Sequence, residues 1–183
     1  MKTKQIIEYS TETHNQIIGW TNNCDTKASI VLAFMGILVS TTFTSDYILS
    51  GVETEIKNII NYWQNGIGGF SLLSTCMFLA LIGFVLSMTL CCLFAISSLK
   101  ANLECPNDSI IFFRKIAELS KEKYIERVNS ISEEEFDQDK LSQIHICAKI
   151  CDEKFKFYNK STKYLKWGLL LFVCLVFFVV LLK

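Results

Sequence analysis

The sequence predicts an all-α membrane protein with three transmembrane helices. A cytoplasmic helical segment lies between the second and third, and the last helix is long and continuous into the membrane. Three observations predict it. Apolar residues make up 51% of the chain and gather into three runs almost free of charge. A single proline and eight glycines leave few places where a helix must stop. Basic residues crowd between the second and third runs, the asymmetry expected of a segment on the cytoplasmic side. Lys plus Arg equals Asp plus Glu at 18 each, which argues against a general nucleic-acid coat and against an acidic tail.

Residues 1–24 are polar, and Ile6, Ser10, Thr13, Ile17, Trp20 and Cys24 recur at three- and four-residue steps. That spacing predicts an amphipathic cytoplasmic helix lying on lipid or on the cytoplasmic segment, and it lacks the basic-then-apolar order of a signal peptide. The first span covers residues 28–45, uncharged, for a rise of ~27 Å, close to the hydrocarbon thickness. One face of it carries Ser29, Ala33, Gly36, Ser40 and Thr44. In lipid, helices associate by close contact at such small residues, and the hydroxyls also suit a pore mouth. Gly83 and Ser87 repeat the pattern on the second span. Three spans make a thin core, so the pattern predicts a homo-oligomer, with a tetramer favoured.

Residues 46–69 hold one base, Lys57, against Asp46, Glu53 and Glu55, and are expected as an external loop. The second span, 70–96, belongs to an uncharged stretch longer than a perpendicular crossing needs, so it tilts or extends beyond the bilayer. Residues 97–165 form the cytoplasmic sensor or stalk segment. After Pro106, Asn107 or Asp108 caps a short helix, and Ser120 starts a second whose buried side is Tyr124, Ile125 and Val128. Ser132 and Glu135 have capping-box spacing. From Glu133 to Leu182 the only helix breaker is Gly168, so one rod of ~75 Å enters the third span at 167–182. On it Leu141, Ile144, Ala148, Cys151, Phe155, Tyr158, Thr162 and Leu165 form a heptad seam. The seam serves either the chain's own short helices or another copy. The amino terminus is then cytoplasmic and the carboxyl terminus outside.

Enzymatic chemistry finds little support. His14 and His145 stand far apart, and there is no Gly-rich phosphate loop or nucleophile elbow, so the expectation is no enzyme and no cofactor. His14 is expected to be solvated. The cysteines read as packed thiols and not a disulfide framework, since His145, Cys147 and Cys151 have no recognised metal spacing. Arg114, Lys115, Lys121, Lys123 and Arg127 are a solvated face or, where two helices converge at Ser120, an anion pocket.

The stretches "WTNNCDTKASIVLAFMG", "IIFFRKIAELSKEKYIERV" and "LSQIHICAKICDEKFKFYNKSTKYLKWG", each in order with the spans, resemble the Pycsar transmembrane effector family of bacterial antiphage defence. The matching positions include Trp20, Asp25, Lys27, Ala28, Phe113, Ser120, Tyr124, Ile150 and Lys154; Arg114 departs from the small residue expected there. The resemblance implies a membrane effector of the bacterial inner membrane. A partner cyclase or nucleotidyltransferase makes a nucleotide second messenger or an oligonucleotide, and the assembled spans then make the membrane leaky and arrest growth. The alternatives are a nucleic-acid-guarded ion channel released on infection and a non-pore scaffold that recruits a partner. Trp20, Asp25 and Lys27 stand at the entrance of the first span. Lys27 reaches toward lipid headgroups, and Asp25 either anchors the helix or meets a base of the cytoplasmic segment, Lys163 or Lys166, holding a lever closed.

Overall fold

The computed structural model describes residues 2–65, 72–100 and 109–181. Among them are six helices: α1 (Lys2–Thr44), α2 (Asp46–Asn65), α3 (Leu72–Leu99), α4 (Phe113–Glu118), α5 (Lys121–Ser130) and α6 (Glu133–Leu181). By length and composition α1, α3 and α6 can each cross a membrane. The amphipathic start and the first span are one helix, because nothing between Lys2 and Thr44 breaks it. The chain divides into two compact units, 1–26 with 98–156 and 27–97 with 157–183.

The second unit holds the membrane-length parts of α1, α3 and α6. Its core is Leu38 of α1, Ile48 and Val52 of α2, Met77, Ala80, Phe84 and Met88 of α3, and Leu175 and Val179 of α6. Helix α2 corrects the expected external loop. Ile48, Val52 and Ile56 recur on one side and pack into the core, while Glu53 pairs with Lys57 at 2.6 Å on the other, so the stretch has a helical apolar period that its acidic charge conceals. Small residues carry the closest approaches. A Cβ built on Gly168 would lie 1.9 Å from Met88 Cε, and one on Gly51 or Gly83 would lie 3.2 Å from Val179 or Leu171. Ser87 Oγ donates to the Tyr164 carbonyl at 2.8 Å. Phe94 stacks on Tyr164 with centroids 5.5 Å apart, and Lys160 Nζ lies 5.5 Å over the Phe94 ring.

The first unit contains the start of α1, the end of α3, α4, α5 and the start of α6. Asp139 of α6 accepts from Ser109 Oγ (3.0 Å) and Ile110 N (2.9 Å), and Ser109 Oγ in turn accepts from Ile111 N and Phe112 N. This tied turn leads into α4, which starts only at Phe113; the expected caps Asn107 and Asp108 lie outside the described residues. Ser120 caps α5 by accepting from Lys123 N, and Ser132 and Glu135 form the reciprocal box that starts α6.

Three expected buried faces need correction. On α6 the buried positions are Cys151, Lys154, Ser161, Gly168, Leu175 and Val179, with Leu141 exposed and Ala148, Phe155 and Thr162 half-buried. The seam is displaced by one residue because it includes Lys154 and Ser161, polar groups that are buried with their hydrogen bonds made. On α1 the buried line is Ser10, Ile17, Cys24, Ala28, Val31, Leu38 and Thr42, leaving Thr13 half-buried and Trp20 exposed; the side chain of Ile6 lies outside the described residues. On α5, Ile125 and Val128 are exposed and Tyr124 is half-buried, so that helix has no buried side.

Candidate functional site

In the first unit α1 and α6 run parallel in a fixed register. Lys140 Nζ donates to Thr11 Oγ1 at 2.6 Å and Lys154 Nζ donates to Asp25 Oδ1 at 2.6 Å, and both pairs are 129 residues apart. The two contacts are separated by two heptads on each helix, the interval at which a helix returns the same face to its neighbour.

The first part of the site is the junction at Asp25. Ser98, fully buried near the end of α3, donates through Oγ to the Lys154 carbonyl at 3.0 Å. Cys24 Sγ lies 3.7 Å from the same hydroxyl; since the serine proton goes to the carbonyl, the thiol is the donor. The Lys154 side chain is 7% exposed and that of Asp25 is 36% exposed. An ammonium so far out of water is tolerable only beside a carboxylate, and here the carboxylate keeps one side in solvent. Three helices thus meet at one buried hydroxyl and one ion pair, and water reaches the pair from the Asp25 side.

The second part is a cavity of about 470 Å³. The Asp139-tied turn sets Ile110 and Ile111 on its wall, Tyr124 and Val128 of α5 face it one turn apart, and Phe136, Lys140 and Gln143 reach it from α6 at three- and four-residue steps. His14 completes it from α1, which corrects the expectation of a solvated histidine. Its ring is half-buried, with Nε2 3.9 Å from Cys147 Sγ, and burial pushes the Cys147 thiol up from its ordinary value. Gln143 Oε1 is buried and has no hydrogen-bond partner.

The residues singled out in the sequence are placed unevenly. None of Arg114, Lys115, Lys121, Lys123 and Arg127 lines the cavity. Lys121, Lys123 and Arg127 are exposed on α5, and Lys115 pairs with Glu118 at 2.9 Å. Asp25 does meet a base, but that base is Lys154. The common offset of α1 and α6 sets residue 154 opposite residue 25, while Lys163 and Lys166 are exposed. Trp20 and Lys27 are exposed. Ser29, Ala33, Gly36, Ser40 and Thr44 all lie on an exposed face of α1. Thr41, Thr42 and Thr44 turn their hydroxyls back onto the carbonyls one turn earlier, which satisfies them without water. Sequence reasoning missed Ser98, Gln143 and the cavity role of His14. Lys154 stands among the positions that carry the resemblance, and a second signal for it is its spacing from Lys140, two heptads along the same helix.

A family model described as the Pycsar effector protein domain matches residues 9–181. The chain is also similar to the Pycsar effector protein GmPycTM of Gulbenkiania mobilis, 27% identical over 194 aligned residues that cover 96% of this chain and 93% of that protein. No solved structure matches.

Proposed function

The chain belongs to the Pycsar transmembrane effector family of antiphage defence, and from that premise we propose a homo-oligomeric, nucleotide-controlled agent of membrane leakage in the bacterial inner membrane. A partner cyclase or nucleotidyltransferase supplies the nucleotide, the first unit responds to it on the cytoplasmic side, and the spans of several copies open the bilayer and arrest growth. The amino terminus is inside and the carboxyl terminus outside.

The observation that supports this reading is the Asp25–Lys154 junction. Asp25 stands on the helix that becomes the first span, and Lys154 on the helix that becomes the third. A helix transmits displacement along its axis because each turn is bonded to the next. Moving an assembly from about 1% to 99% open takes about 5.5 kcal/mol of differential ligand binding. Shared among four copies switching together, that is about 1.4 kcal/mol each, the scale of one partly solvated ion pair. A junction of this strength holds the closed state and yields to a modest ligand.

The test is charge reversal. Asp25→Lys sets two ammonium groups against each other and should produce ion leakage from liposomes, and toxicity in cells, with no nucleotide present. Adding Lys154→Asp restores the opposite pairing and should restore tightness. Unchanged conductance and growth in Asp25→Lys would overturn the gating assignment. Leakage by the wild-type protein that nucleotides or RNA suppress would favour a nucleic-acid-guarded channel, and a membrane left tight under every condition would leave the scaffold.

A further inference from the structure

We propose that the exposed face of α6 at the start of the third span is a binding site for an anionic phospholipid of the leaflet this helix enters first, with the phosphate held by Lys160, Lys163 and Lys166. The inference goes beyond nucleotide control and needs only that α6 crosses a bilayer. All of its residues belong to the second unit. The three lysines follow one another at three-residue steps, all are exposed, and among the described residues none pairs with a carboxylate. There is no Asp or Glu from Lys154 to the end of the chain, none in α3 and none between Lys27 and Thr44. The acids of this unit, Asp46, Glu53 and Glu55, belong to α2, whose Ile48 and Val52 share a core cluster with Leu175 and Val179 near the far end of α6. The anion these lysines need must come from outside the protein. The rings beside them supply a second observation. Phe94 stacks on both Phe157 and Tyr164, with centroids 6.4 and 5.5 Å apart, and Lys160 Nζ lies 5.5 Å over the Phe94 ring and 5.7 Å over that of Phe157. Ring faces attract an ammonium without neutralising it, so Lys160 is placed while its charge stays unmatched. One turn beyond Lys163 stands Trp167, 54% exposed, and the same side of α6 continues through exposed Leu170, Val173 and Phe177.

The chemistry narrows the occupant. A soluble phosphate would meet the lysines and leave the indole and the apolar stripe beyond it uncovered. A zwitterionic lipid would bring a quaternary ammonium up to three ammonium groups. A second copy of the chain offering the same face would set lysine against lysine. An anionic phospholipid fits both halves: its phosphate lies among the lysines, whose long stems let Lys163 and Lys166 reach back to headgroup depth, and its acyl chains run along Leu170, Val173 and Phe177. Trp167 then sits at the boundary between the two, the depth at which an indole is most at home.

Trp167 is itself the reporter. In the full-length chain carrying Trp20→Phe and Trp63→Phe it is the sole indole, and its quenching in phosphatidylcholine vesicles is compared for a small fraction of brominated phosphatidylglycerol and the same fraction of brominated phosphatidylcholine. The anionic lipid should be enriched around Trp167 about tenfold or more. Lys160→Gln, Lys163→Gln and Lys166→Gln should each lower that enrichment about two- to fivefold, and all three together should remove it. Lys163→Arg, which keeps the charge, should keep the enrichment. Phe94→Leu changes no charge but takes away the ring under Lys160, and should lower it about twofold. Lys121→Gln, Lys123→Gln and Arg127→Gln combined, which remove the same charge from α5, should leave it unchanged, as should excess inorganic phosphate or glycerol 3-phosphate at constant ionic strength. Equal quenching by the two brominated lipids overturns the proposal. So does an equal loss in the α5 variant, which would show a general attraction of the whole chain to charged membranes, and so does displacement by soluble phosphate, which would make the ligand a free anion. Enrichment that survives the triple lysine variant while the anion-to-cation permeability of liposome leakage shifts would place the lysines along a lumen and overturn it as well.

Discussion

The two units hold the same two long helices by different means. In the membrane-length unit, α6 meets α3 through Gly168, Phe172 and Leu175, and the contacts are shape: a glycine under Met88, and Phe84 against Phe172 with centroids 6.1 Å apart. In the other unit the same face of α6 presents Lys140, Cys147, Cys151 and Lys154, and the contacts are directional bonds. The difference concerns reversibility. Interlocked apolar side chains have no second arrangement of similar energy. A charge pair with one side in water does, because water can take the place of either member and a phosphate that of the carboxylate. The heptad register continues along α6 from one unit to the other, while the chemistry that fills it changes from switchable to fixed.

The sharpest way to break that contrast is to disturb the fixed half. Gly168→Leu forces a branched side chain into the space occupied by Met88, where even a Cβ would sit 1.9 Å from Met88 Cε. Overpacking of this kind costs about 1–3 kcal/mol or more. Thermal unfolding in detergent should drop by several degrees, and Met88→Ala on the same chain should recover part of the loss. If Gly168→Leu melted with the wild type, close packing would not be what holds that unit.

The fold was legible where a single physical signal dominated. The uncharged runs reported the spans, and the absence of breakers after Glu133 reported α6. The caps at Ser120 and Ser132 were local chemistry and therefore visible. Helix α2 was hidden because its acidic surface resembled a loop, although Ile48, Val52 and Ile56 repeat at helical steps. The site was harder. A seam traced through apolar residues cannot include Lys154, which is buried only because Asp25, 129 positions away, lies opposite it. Gln143 gives no sequence signal at all, since its significance is an unmade hydrogen bond in a cavity assembled from four helices and the turn before α4.

Within the switchable half, Lys154→Met replaces the ammonium with an apolar chain of similar length. The backbone carbonyl of residue 154 still accepts from Ser98, and Asp25, partly in solvent, rehydrates. The expected loss is therefore only about 1–2 kcal/mol, below the several kcal/mol of a fully buried pair. A double-mutant cycle with Asp25→Asn isolates the coupling. A coupling near zero would mean that the junction is held by Ser98 and packing alone, and that the ion pair is not the element a ligand releases.

The smallest effect belongs at the start of α6, where the contrast can be tuned without touching either unit's core. Ser132 donates to Glu135 Oε2 through its backbone N–H at 3.1 Å and its hydroxyl at 3.0 Å. These bonds favour the charged carboxylate and hold the Glu135 carboxyl below its ordinary value. The unfolded chain therefore takes up that proton at higher pH than the folded one. Stabilisation from this box is complete above the ordinary glutamate range and fades as pH falls through the lowered folded value. Amide hydrogen exchange at the first turns of α6, compared between about pH 7 and about pH 3 after correction for intrinsic rates, should show protection falling as acid is added. Ser132→Ala removes the hydroxyl but keeps the backbone N–H, so it should reduce that dependence without abolishing it, and cost about 1 kcal/mol of local stability at neutral pH. Because Lys140 and Gln143 lie on the second and third turns of the same helix, fraying there should loosen the cavity wall and leave exchange in the membrane-length part of α6 unchanged. Equal acceleration along the whole helix would show that α6 opens as one body, and the distinction between a switchable and a fixed half would have to be withdrawn.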